Sequence, residues 1–380
     1  MNNAVVSTKS EDVSQRTSHK RYAEFDILRT VSMLLMVVAH VWEQFDAYIA
    51  QDVMSQGSWL SYAYAFIGPS VLMICLGTNL SFSKRTTPKQ MAIRGISFLG
   101  IDFVLNVIRF GVPTVTMAIC GRPEFLPFFI EQILCSDIYA FVGAVFILYA
   151  LFKKCNLSFR AILSVSVVML TINTLIDCFH LNVVDNRMLA AFLGRFFWMG
   201  HTSYFSLFPW FIFPVIGCGF GEFYKGLTTD DQNKYVSQLM TVCIVGVIAL
   251  SAALISNGVS PLIAVISLND YKTDLLSVIL MILLGGIAFG VAHVFVAKYP
   301  ESLWVKLSIK ASKVIMPFYI IQWISIAWIQ FYLEAISAYD HFQNSLTVYL
   351  FAVGIIIISM YFAILFEKGK SKRKMRISKS

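Results

Sequence analysis

The chain has 380 residues; 57% are apolar, 14% are charged, and mean hydropathy is +0.70. A soluble domain carries roughly 25% charged residues, so this chain lacks the polar cover that a water-facing surface needs. Ordinary soluble enzymes, disordered proteins and nucleic-acid binders are excluded despite a pI near 9.0, and the surplus of 30 Lys+Arg over 22 Asp+Glu calls for a membrane explanation.

Residues 1–25 are polar and mixed in charge, with no apolar h-region or small-residue cleavage site. They read as a cytoplasmic tail ahead of an uncleaved signal anchor. Crossing the hydrocarbon core takes about 20 mostly apolar residues. Runs of that kind fall at about 27–47, 59–81, 90–111, 128–152, 159–179, 203–223, 236–256, 274–297, 311–333 and 345–366. They predict an all-α polytopic membrane protein of about ten transmembrane helices, with its membrane domain over 26–366 and a basic tail over 367–380. Period-two alternation is nearly absent, so a β-barrel is not a competitor.

Basic residues crowd alternate connections: Lys20 and Arg21; Lys84, Arg85, Lys89 and Arg94; Lys153, Lys154 and Arg160; and later the tail from Lys368 to Lys379. The positive-inside rule puts these segments and both termini in the cytoplasm, in a multi-pass inner (plasma) membrane protein. The basic tail is a topology signal in contact with membrane lipid rather than a nucleic-acid arm. The seven cysteines are scattered without C-x-x-C and read as small buried apolar residues. No G-x-x-x-x-G-K-[ST] is present, so no ATP-driven pump is encoded.

Ionisable groups inside spans are costly and are functional candidates for that reason. In the first span Arg29 and His40 stand eleven residues apart, three turns plus about 20°, and so share one face. The same spacing separates them by about 16 Å along the axis. Glu43, at i+3, is expected to orient the imidazole by a hydrogen bond. A snorkelling Arg29 and a packed, hydrogen-bonded His40 are the plainer alternative. Asp102, Asn106 and Arg109 form a second stripe in span three, read as an internal ion pair. Asn173, Asp177 and His180 close span five; no His/Asp/Glu spacing supports a metal site. His293 reads as a packing histidine. The segment Arg195-Phe-Phe-Trp198-Met-Gly-His201 suits either sugar contact or an interfacial aromatic belt.

Arg29 and His40, preceded by Glu24-Phe-Asp26-Ile-Leu, resemble the Arg-x10-His signature of acyltransferase family 3, membrane enzymes that acylate envelope glycans. Gly68-Pro-Ser-Val-Leu-Met-Ile-Cys-Leu-Gly77 and the basic run Lys84 to Arg94 are similar to the segments that follow in that family. Ser136-Asp137-Ile-Tyr-Ala-Phe-Val-Gly143 and Phe205 to Gly219 resemble the neighbouring branch that contains heparan-alpha-glucosaminide N-acetyltransferase. Pro317-Phe-Tyr319-Ile-Ile-Gln322-Trp323 resembles the family 3 Y-x-x-H-W, with Gln322 where histidine is common.

The resemblance implies an acyltransferase with no permanently bound cofactor. Acetyl-CoA (acyl-CoA) is its donor substrate, and a glycan or lipid-linked saccharide is its acceptor. A neutral imidazole can act as base or nucleophile near neutral pH, which fits His40, while Arg29 can grip the donor. Arg85 and Arg94 are candidates for the CoA phosphates, and Asp137, Arg195 and His201 for the acceptor. O-transfer is the first expectation and N-transfer to an amino sugar the second. A transporter or flippase with a proton relay is the rival from another class.

Overall fold

The computed structural model describes residues 21–45, 67–83, 87–123, 126, 133–181, 184–197, 204–258, 275–335 and 345–377. Their regular elements are helices: α1 (Ala23–Phe45), α2 (Pro69–Phe82), α3 (Pro88–Ile119), α4 (Ile138–Lys154), α5 (Phe159–Cys178), α6 (Arg187–Leu193), α7 (Leu207–Tyr224), α8 (Thr229–Ser256), α9 (Leu275–Lys298), α10 (Leu303–Ala311), α11 (Ile315–Ala335) and α12 (Ser345–Ile377). Among the described residues, eight helices are long and apolar enough to cross a bilayer. The expected runs 59–81 and 128–152 hold the shorter α2 and α4, and residues 59–66 and 128–132 lie outside the described residues. The chain is an all-α polytopic membrane protein.

Helix starts follow local chemistry. Thr87 caps α3 by accepting from the Gln90 N–H, with Pro88 at the first position, where its missing N–H costs nothing. Thr228 accepts from the Asp231 N–H and donates to the Asp231 carboxylate, a reciprocal cap for α8. Three prolines shape the longer helices. Pro113 cannot donate to the carbonyl four residues back, and the turn over Val107–Gly111 widens into a π turn. Within α7 the helix breaks at Phe211, between Pro209 and Pro214.

The helix α1 is central, packing against α2, α9, α10, α11 and α12. Its Met33, Met36, Val37 and Val41 are almost fully buried. Around it, α2 and α7 lie nearly backbone to backbone: a Cβ on Gly77 would collide with the Pro214 carbonyl, and one on Gly217 with that of Ile74. Helices α3 and α4 close up similarly at Gly95 and Gly143. Large apolar side chains left exposed, such as Val168 on α5, Val242 and Ile248 on α8, and Leu350 and Ile357 on α12, cover the rim. On a soluble protein such a surface would aggregate; here it meets lipid.

Candidate active site

Arg29, Met33 and Met36 line one cavity of about 310 Å³, and His40 sits one further turn along α1, outside that lining. The cavity lies between α1, α2, α3, α4 and the start of α11. Arg29, Arg94 and Lys313 stand among its lining, and Tyr139 and Tyr319 form part of its wall. Arg94 is also held by aromatic faces, 4.9 Å from the Phe146 centroid and 5.8 Å from that of Phe98. Lys84, Arg85 and Thr86 lie outside the described residues.

Arg29 does not simply snorkel. Its Nε donates to the Phe25 carbonyl at 3.0 Å, and one terminal nitrogen reaches Asp26 at 2.6 Å. Asp26 is fully buried and takes two further partners, Arg21 and the Ser312 hydroxyl. Arg21 also donates to Ser312 and to the Ile309 carbonyl. The start of α1 is thereby stapled to the end of α10. Asp26 was visible in the sequence only as part of the Glu-Phe-Asp run; an aspartate one turn before a membrane arginine is the signal that could have marked this pair.

A second polar centre fills the space between α3, α4 and α11. The Arg109–Asp102 pairing expected along the stripe does not form. Arg109 instead pairs with Asp137 at 3.1 Å, with both side chains buried. The π turn re-aims Arg109, because a widened turn advances each residue by a smaller angle than an α turn does. Asp102 accepts from the Ala140 N–H, and Asn106 donates to the Ile133 and Cys135 carbonyls, so the stripe secures the entry into α4. Asp137 also caps Ile138 at 2.7 Å and accepts from the Tyr319 hydroxyl at 2.6 Å. It is fully engaged inside the protein. The indole of Trp328 donates to the Ile108 carbonyl, which lies in the π turn, at 2.9 Å.

His40 is joined to this centre through α11. Its ring lies 4.0 Å from the Trp323 centroid, tilted by 30°. The Arg109 guanidinium lies 3.4 Å from the same ring. Gln322 lies within reach of the imidazole, yet neither of its amide atoms, nor His40 Nδ1, meets the distance and angle of a formed hydrogen bond. Glu43 does not orient the ring. It makes no hydrogen bond to His40, whose Nδ1 has no partner, since an i+3 step turns its side chain about 60° away from the His40 direction. The partners of His40 come from α11 rather than from its own helix.

Arg195 donates twice to the Leu134 carbonyl, so it braces the segment ahead of α4. His201 and Trp198 lie outside the described residues. His180 ends α5 on an exposed position with positive φ. His293 is more than packing: its Nδ1 lies 3.0 Å from Glu24 and 3.1 Å from the Tyr224 hydroxyl, and its Nε2 lies 2.8 Å from Asn233.

Three cations stand in the lining of a largely apolar, partly open cavity, and a histidine lies one turn beyond it on α1. The family model described as "Heparan-alpha-glucosaminide N-acetyltransferase, catalytic" matches residues 21–257, from α1 through α8. The chain belongs to this family. It is therefore a multi-pass membrane acyltransferase, and of the two resemblances the match bears out the heparan-alpha-glucosaminide N-acetyltransferase branch. No curated protein and no solved structure matches the chain. Helices α9 to α12, and with them Tyr319, Gln322 and Trp323, follow the matched region.

Proposed function

We propose that this protein transfers an acetyl group from cytosolic acetyl-CoA to a hydroxyl of an extracytoplasmic glycan, with His40 as base and Arg29 as donor grip. The observation that carries the reading is the cavity along α1, with three cations in its lining and His40 one turn past Met36. The Arg29–His40 spacing, shared with acyltransferase family 3, supports it as well. In this reading Arg29, Arg94 and Lys313 meet the phosphates and pantetheine of the donor. The thioester lies at the top of the cavity. His40 takes the proton of the acceptor hydroxyl, whose oxygen attacks the thioester carbon. A C–O bond forms, the C–S bond breaks, and the proton passes from His40 to the departing sulfur. The family's description, which names a glucosaminide N-acetyltransferase, favours a second reading in which the acceptor is the amine of an amino sugar.

The test is purified protein given acetyl-CoA labelled in the acetyl group, with neutral glycans and with glucosamine-terminated ones. Label released by mild alkali marks an ester, and alkali-stable label marks an amide. His40→Ala is expected to lose 10²–10⁴-fold in transfer while keeping acetyl-CoA binding. Near wild-type transfer by His40→Ala would remove the histidine from the mechanism.

A further inference from the structure

Buried polar atoms without partners are expensive, roughly 1–3 kcal/mol each by mutational scales. They are also rare in folded proteins. Five of the ten such side-chain atoms among the described residues crowd into one place: His40 Nδ1, both amide atoms of Gln322, Arg109 Nε and Trp323 Nε1. These four residues are at most 5% exposed, so water from the bulk does not satisfy them. They also touch one another, with Trp323 against both His40 and Arg109 and with Gln322 beside the imidazole. A leucine at position 322 would fill comparable space without stranding an amide. Shape alone therefore does not call for the glutamine; its amide faces the His40 ring.

Three of the five atoms, Gln322 Nε2, Arg109 Nε and Trp323 Nε1, are N–H donors. Donors preset in a dry site suit an acceptor oxygen that gains charge during reaction. We propose that Gln322 and Arg109 form the donor pocket for the acyl carbonyl oxygen, with Gln322 as a catalytic residue of the transfer. The inference rests on the reading of His40 as the base. As the acceptor atom bonds to the thioester carbon, the carbonyl π pair moves onto its oxygen and takes hydrogen bonds from Gln322 and Arg109. The pair returns to rebuild the carbonyl as the C–S bond breaks, and the sulfur leaves with the proton held by His40. Arg109 is fixed for this by its pair with Asp137 and by the Trp323 face, so its donor needs little reorganisation.

Gln322→Leu separates this from a structural role, because it removes the donor and the stranded amide together. The expected result is a kcat lower by about 10²–10³-fold, an acetyl-CoA KM within about twofold, and a melting temperature no lower than wild type. Gln322→His, which restores an N–H donor, is expected to recover most of the lost rate. Near-normal turnover by Gln322→Leu overturns the proposal. So does a loss of rate that tracks a fall in melting temperature and is not recovered by Gln322→His. If wild-type protein transfers no acetyl group, the reading of His40 itself fails, a result distinct from a Gln322→Leu enzyme that works normally.

Discussion

Asp137→Ala is the most informative perturbation of the polar centre. The carboxylate holds Arg109 at 3.1 Å, the Tyr319 hydroxyl at 2.6 Å and its own helix at the Ile138 N–H. Removing it leaves a guanidinium that is 4% exposed without its counter-charge. Breaking one side of a buried pair costs about 3–5 kcal/mol, and the stranded Tyr319 hydroxyl adds about 1 kcal/mol or more. Adding Arg109→Met removes the orphaned charge. The double variant is therefore expected to regain about 2 kcal/mol over Asp137→Ala alone, since the two sites are in contact and do not add. Thermal unfolding in detergent, followed with a thiol-reactive fluorophore, reads this directly. Cys75, Cys135 and Cys243 are buried and react as the bundle opens, over a background from exposed Cys120, Cys155 and Cys178. An unchanged midpoint in Asp137→Ala, or a double variant weaker than the single, would refute the assigned pairing.

Arg29→Lys keeps the charge but loses the fork that reaches both Phe25 and Asp26; acetyl-CoA KM is expected to rise several-fold with kcat little changed, measured by initial rates. Gly217→Ala forces a methyl into the Ile74 carbonyl, and a loss of more than 2 kcal/mol or a failure to accumulate is expected, read from melting and membrane yield. Glu43→Gln should leave transfer within about twofold of wild type, because the carboxylate makes no hydrogen bond to His40. A hundredfold loss in that variant would restore Glu43 as the orienting group.

Composition and run length were enough for the membrane class, because apolar length answers to bilayer thickness and little else. The Arg29–His40 face was legible for the same kind of reason: within one straight helix, spacing alone decides which side chains align. Alignment across Pro113 was not legible, since the π turn changes the angle per residue and carries Arg109 from Asp102 to Asp137. Gly111-Val-Pro113 was the available warning. The partners of His40 were hidden more deeply. Gln322 and Trp323 lie 282 and 283 residues beyond His40, and only tertiary packing brings α11 to α1. Glu43 was the nearest carboxylate in sequence, and nearness along a helix proved a poor guide to direction.

The glycine seam between α2 and α7 has a mechanical consequence for the cavity along α1. Two backbones that close leave no compliant side chains between them, so the wall carrying Leu72, Met73 and Leu76 moves only as a unit with α7. Give must come from the lining instead, where Met33, Met36, Met73 and Met316 present unbranched thioethers with three rotatable bonds each. The chamber is stiff in its frame and soft in its lining. Its bore is set by how four methionines happen to be folded, not by how far apart the helices stand.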